Sequence, residues 1–270
     1  MLKLGQLFVS CPNMKLPFYL ILLFTVNLAA QQLKLVKSEA LKADTFIGID
    51  SYQHTYWIEN NVLHKSGNLG DFVFNNLQLG PISSVDIINP LQVVLFYEDS
   101  NTVILLDNRL NETERINFNT SSELLTIGAA SNAGNNRLWI FNIGSQQLEL
   151  YDYRSNRLNV VSQPFEGTLS SMSSNFNNCF VLTDKTITVF NVYGSFISEF
   201  TSESYTRITT LGDTILAADK NRLFSLSEDA TPKPINTPLD LTIKDLQLTQ
   251  EFLYIYDGNF LHTFTLTTPK

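Results

Sequence analysis

Apolar and polar positions alternate in blocks along this chain: short runs rich in aromatic and β-branched residues, each closed by a turn of Asp, Asn or Gly. The unit is plainest between Glu251 and Leu266, where two apolar, aromatic-rich runs flank Asp257-Gly258-Asn259. Asp-Gly between such runs predicts a tight β-hairpin. Equivalent turns begin at Asn60, Asp99, Asn142, Asp184, Asp219 and Asp257, at spacings of 39, 43, 42, 35 and 38 residues. In all six copies the residues two, three and four places before the turn are apolar or aromatic, as in Tyr56-Trp57-Ile58 and Leu138-Trp139-Ile140. An unbroken apolar run predicts a strand covered on both faces, because a strand with one wet face would alternate.

One such strand every 40 residues or so is the pattern of a β-propeller, whose blades are each sandwiched between two neighbours. A β-sandwich also spaces short strands regularly, but six copies in one register favour the propeller. The expected fold is therefore all-β: a six-bladed β-propeller of four-stranded antiparallel blades, over 45–77, 82–118, 124–161, 169–200, 206–235 and 241–266. The last of these is one strand short. Leu33 to Leu41 is a spare, partly alternating segment that would complete it and close the ring, since an open ring leaves two sheet edges exposed. The competing reading of that segment is a short helix or an unstructured leader.

Residues 1–30 are expected to lie outside the fold, leaving one domain over 31–270. Met14-Lys15, the apolar run Leu16 to Leu28 and Ala29-Ala30 have the basic, hydrophobic and small-residue parts of a secretory signal. The run is too short to span a bilayer, which takes about 20 residues. Met14 is an alternative start, and Cys11 precedes the hydrophobic run rather than following it, which argues against a lipoprotein box. Without residues 1–30 the chain carries 16 basic and 26 acidic side chains, a net charge of −10, so nucleic acid and anionic membrane surfaces are poor partners. Only Cys179 then remains, excluding an intramolecular disulfide, and its setting, Asn178-Cys179-Phe180-Val181, is that of a small buried hydrophobe.

Ile187-Thr188-Val189-Phe190-Asn191-Val192-Tyr193-Gly194-Ser195-Phe196-Ile197-Ser198-Glu199-Phe200 resembles the strand, Gly turn, strand pattern of NHL-like six-bladed propellers of the exported bacterial type. Tyr151-Asp152-Tyr153-Arg154-Ser155-Asn156-Arg157-Leu158 is a weaker echo. The resemblance implies a fold shared by interaction platforms, lactonases, lyases and amidating enzymes, and so does not fix a function. Tyr-Trp-Thr-Asp blades, sialidase boxes, kelch Gly-Gly pairs and Trp-Asp termini are missing from the sequence.

No catalytic, metal or cofactor set is legible. His54, His64 and His262 lie far from one another and from Cys; His54 and His262 read as strand residues, His64 as a surface residue beside Lys65. Nucleophile elbows, phosphate loops, dinucleotide fingerprints and calcium loops do not occur. Asn111-Glu112-Thr113 and Asn119-Thr120-Ser121 match the glycosylation acceptor, which matters only in a host that glycosylates. One constellation is positional: the turns between second and third strands share one face of the ring and carry Glu59, Glu98, Asp99, Asp184, Asp219 and Asp257. They suggest an acidic docking face for a basic partner or a cation, although Asp also serves the turns themselves. The functional expectation is an exported, monomeric, non-catalytic propeller serving as a protein-interaction scaffold in the bacterial envelope, most naturally the periplasm. The alternatives are a lactonase- or lyase-type enzyme and a small-ligand sensor using the central channel.

Overall fold

Asn60 and Asn61 both adopt positive φ (51° and 60°) and fold Glu59 directly onto Val62. That two-residue turn suits asparagine because its backbone tolerates the left-handed region. Repeated hairpins of this kind build the whole chain in the computed structural model, which describes residues 32–120, 125–226, 231–238 and 240–267. After β1 (Gln32–Ala40) come β2 (Thr45–Ile49), β3 (Thr55–Glu59), β4 (Val62–Gly67) and β5 (Gly70–Phe74), the first blade. The second is β6 (Ser84–Asp86), β7 (Val93–Tyr97), β8 (Thr102–Leu106) and β9 (Glu112–Asn117); the third is β10 (Ile127–Gly134), β11 (Arg137–Asn142), β12 (Gln147–Asp152) and β13 (Arg157–Val160). The fourth is β14 (Leu169–Ser174), β15 (Asn178–Thr183), β16 (Thr186–Asn191) and β17 (Phe196–Thr201); the fifth is β18 (Arg207–Leu211), β19 (Thr214–Ala218), β20 (Leu223–Leu226) and β21 (Lys233–Ile235). The sixth sheet runs β22 (Asp245–Leu248), β23 (Leu253–Tyr256), β24 (Phe260–Thr267) and then β1.

The protein is thus a six-bladed β-propeller closed by its first strand. β1 pairs antiparallel with β24 from Gln32↔Thr267 to Ala40↔Phe260, with one bulge between Leu35 and Lys37. Side chains reinforce the seam. Ser38 Oγ lies 2.8 Å from His262 Nδ1, whose Nε2 lies 2.8 Å from Asp257 Oδ2. Tyr256 donates its hydroxyl to the carbonyl of Ala43 at 2.7 Å. The expected export signal over 1–30 lies outside the described residues, among which no helix is long and apolar enough to cross a membrane.

Strand alternation sends odd and even residues into different neighbours, so the core is six separate seams rather than one. Leu253 and Ile255 of β23 pack toward the fifth blade, whereas Tyr254 and Tyr256 pack toward the first. The continuous apolar runs β7, β11, β15 and β23 are buried on both faces for this reason. β3 departs from that expectation, burying Tyr56 and Ile58 and leaving Trp57 half-exposed. Trp57 stacks on His64 at 5.0 Å instead, because the seam between blades 6 and 1 is thin: among the described residues it holds four buried hydrophobes, against nine to eleven in each of the other five.

Several strands differ in extent from the sequence pattern. The inner strand expected over 82–88 shrinks to β6 because Asp86 Oδ1 takes the Ile88 N–H at 2.8 Å, and Pro90 follows. That expected over 241–248 starts at Asp245, since the Ile243 N–H bonds the Lys220 carbonyl in the neighbouring blade. β10 instead runs on to Gly134, beyond the expected end at 129, into a turn with Asn135 and Asn136 at positive φ.

Cys179 is fully buried between blades 3 and 4. Burial, with Asp86 nearby, pushes its thiol well above the ordinary range, and the thiolate is the reactive form. Ellman's reagent is therefore expected to label Cys179 only at the rate of unfolding. Prompt labelling at Cys179 of the native protein would contradict this packing.

Candidate functional site

β2, β6, β10, β14, β18 and β22 line a channel through the ring, a cavity of ≈ 1540 Å³. Its wall mixes hydroxyls such as Ser171, Ser173 and Thr210 with apolar residues such as Val85 and Met172. Polar side chains tie several of the inner strands to a neighbouring blade's backbone. Asp86 accepts from the Asn132 N–H at 2.8 Å and lies 3.3 Å from Ser174 Oγ, joining blades 2, 3 and 4. Asp245 accepts from the Phe46 N–H at 3.0 Å and sits 3.7 Å from Arg207 Nε, joining 6, 1 and 5. Gln247 accepts from the Ile49 N–H at 2.7 Å and donates to the Ile49 carbonyl at 3.0 Å. Gly48 makes room for this, since a Cβ there would meet Gln247 Cδ at 2.8 Å. Burial pushes the carboxyls of Asp86 and Asp245 upward, with these hydrogen bonds and Arg207 opposing it in part.

One mouth of the channel is apolar. The corners between first and second strands place Tyr52, Leu91 and Phe176 at the channel lining, and Leu211 joins them from the end of β18; they are 56%, 61%, 72% and 39% exposed. They come from blades 1, 2, 4 and 5. The corners of blades 4 and 5 are joined by Asn175 Nδ2, which donates to the Gly212 carbonyl at 3.3 Å. Sequence reasoning missed this ring because Tyr52, Leu91 and Phe176 are hydrophobes in polar loops and Leu211 reads as an ordinary strand end.

Just behind Tyr52 lies a second group that sequence reasoning missed. Asp50, 5% exposed, accepts at Oδ1 from the N–H groups of Tyr52 and His54, both at 2.9 Å. Its Oδ2 takes the Tyr56 hydroxyl at 3.0 Å and lies 3.1 Å from His54 Nδ1 and 3.9 Å from Lys65 Nζ. Lys65, 2% exposed, donates to the Asn108 carbonyl of the next blade at 2.7 Å and faces the Tyr56 ring at 5.1 Å. Burial pushes Lys65 down, Asp50 and Asp107 opposing it; burial and then Asp50 push the Tyr56 phenol up. His54 thus stands in a corner rather than on a strand, and the four-residue spacing from Asp50 was the available signal. His262 is on β24 as expected, and none of the three histidines lines the channel.

The opposite end carries the acidic turns. Glu59 pairs with Lys42. Asp184 accepts from the Thr168 N–H at 2.8 Å, and Asp219 accepts from the Asn221 and Arg222 N–H groups while pairing with the Arg222 guanidinium. Asp257 accepts from the Asn259 and Phe260 N–H groups and holds His262. Burial alone would raise Asp219 and Asp257, but those hydrogen bonds outweigh it and hold both below the usual carboxylate range. Glu98 and Asp99 are exposed. Asp219 and Asp257 are therefore engaged by their own turns, Asp184 by the Thr168 N–H and Glu59 by Lys42. Among the described residues no group of three His, Cys, Asp or Glu is placed to hold a metal ion.

Comparison with protein-family descriptions finds no match, and no curated protein is similar in sequence. Solved structures do match. Virginiamycin B lyase from Staphylococcus aureus superposes with a TM-score of 0.62 at 9% identity, over 88% of this chain and 96% of that one. BamB from Moraxella catarrhalis gives 0.53 at 9%, over 88% and 99%, and BBS1N in complex with ARL6DN gives 0.58 at 12%, over 83% and 78%. Such low identities carry the fold and nothing finer, and with the closed ring of six four-stranded sheets they make this chain a six-bladed β-propeller.

Proposed function

We propose that this chain is an exported, non-catalytic propeller that serves as a protein-interaction scaffold in the bacterial cell envelope, holding its partner at the apolar channel mouth. The observation that carries the reading is the set Tyr52, Leu91, Phe176 and Leu211, each exposed and each lining the channel cavity. Singly exposed hydrophobes are ordinary, whereas a set rimmed by polar residues around a concavity marks a binding surface. BBS1N bound to ARL6DN offers a precedent for partner binding by this shape. The acidic turns Glu59, Glu98, Asp99, Asp184, Asp219 and Asp257 at the other end would add long-range field rather than contacts. A lyase-type chemistry in the channel is less well supported, since His54, His64 and His262 all lie off its wall.

The test is a photo-activated cross-linker at position 91 or 176 of the protein in its native envelope, with position 160 on the outer strand as control; Val160 is 51% exposed. The same partner is expected from both rim positions and not from 160. Equal capture at all three, or none at the rim, would remove the scaffold reading.

A further inference from the structure

We infer that the segment seated at this mouth is a peptide of another protein presenting a lysine or arginine between apolar side chains. The inference rests on the scaffold reading and adds the chemistry of the partner. Its first support is the make-up of the six corners around the opening, residues 50–54, 87–92, 135–136, 175–177, 212–213 and 249–252. They contain Asp50, Asp213 and Glu251 and no lysine or arginine. Its second support is the channel itself, whose charged lining is Asp50, Asp86, Glu98, Asp245 and Glu251 against Arg207 alone.

These charges are not equally available. Arg207 is taken by Asp245 and by the Thr206 carbonyl at 2.9 Å. Asp50 is saturated by Tyr52, His54, Tyr56 and Lys65. Asp86, at the mouth end of β6, accepts only from neutral donors, and Glu251 is exposed on the sixth corner without an ion pair among the described residues. A long basic side chain fits this arrangement. Its aliphatic stem would lie on Leu91 or Leu211 while its cationic head reaches Asp86 or Glu251, and Tyr52 and Phe176 offer ring faces to the same cation. An acidic segment would instead meet uncompensated like charge, which opposes association strongly. The net charge of −8 on the whole chain favours the same class of partner at long range.

The experiment uses three fluorescein-labelled peptides of one length, apolar residues interrupted by Lys, by Gln or by Glu, titrated with the purified full chain and read by anisotropy. The Lys peptide is expected to bind on the order of tenfold more tightly than the Gln peptide, which corresponds to about 1.4 kcal/mol, and to weaken with added salt. Glu251→Gln and Asp86→Asn should each shrink that preference, and Phe176→Ser should weaken all binding. Because Asp86 also joins three blades, Glu251→Gln on its exposed corner is the variant that a folding defect cannot imitate. Equal binding of the three peptides, preference for Glu, or no binding at all overturns the inference. A partner still captured at positions 91 and 176 would then leave the scaffold reading standing, so the two can fail separately.

Discussion

Deleting residues 32–40 is expected to abolish recovery of soluble, cooperatively folding protein. The loss is larger than nine residues suggest, because β1 is the outer strand of the last blade rather than an appendage. Its removal uncovers the whole outer edge of β24, and an exposed edge is a template for pairing with other chains. It also takes Leu33, 5% exposed, out of the seam between blades 5 and 6, and Ser38 away from His262. The check is size-exclusion chromatography and thermal unfolding of the truncated chain. A circular permutant that carries the same nine residues after β24, beyond a flexible linker, should recover normal behaviour. If the truncated chain elutes as the parent does and melts within about 3 °C of it, equivalent to under about 1 kcal/mol, β1 is not what closes the ring.

Asp50→Ala is expected to destabilise the protein by about 3–5 kcal/mol, the usual cost of removing one partner from a buried charged group. Four donors lose their acceptor together: the N–H groups of Tyr52 and His54, the Tyr56 hydroxyl and the His54 ring. Lys65 keeps its bond to Asn108 but no carboxylate at its side. Urea denaturation measures the effect, and pH separates its causes. Burial has already lowered Lys65 below its unfolded value, so between those two values the folded chain binds fewer protons and stability rises with pH. Without Asp50 the folded value falls further and that window widens, so the deficit of the variant should shrink on the alkaline side. Adding Lys65→Met should restore only the part of the loss that comes from the unpaired Lys65 charge, a coupling that the double-mutant cycle isolates. A loss under about 1 kcal/mol would mean that water replaces Asp50, against the burial argument.

What could be read from the sequence was what local chemistry writes. The hairpin turns were legible because Asp257 and Asp219 satisfy their own turn N–H groups, which puts the same residue type at the same place in blade after blade. The closing strand was legible because the sixth unit holds three strands and a ring of blades tolerates no open edge. The same local bonding engages the carboxylates of Asp219 and Asp257, whereas Glu98 and Asp99 on the same face stay exposed. The channel mouth was illegible. Ser51-Tyr52-Gln53, Pro90-Leu91-Gln92 and Asn175-Phe176-Asn177 share no motif, and only ring geometry brings them to one opening. Asp50 and His54 were within reach of sequence reasoning, but the partnership with Lys65 and Asn108 depends on where blade 2 sits against blade 1.

The closing strand also sets the timing of folding. Ser38 and His262 are 224 residues apart in the chain, whereas the strands within each of the other five blades follow one another directly. Blades 1 to 5 can form from neighbouring hairpins as the chain emerges, but the strand made first has no partner until the hairpin made last. Closing a loop of that length costs about 5 kcal/mol of chain entropy, and contacts of such separation form slowly. Until then β1 is an unpaired strand and the blades on either side of the gap present bare apolar faces, so the interval before residues 260–267 arrive is when this chain most needs protection from its own copies.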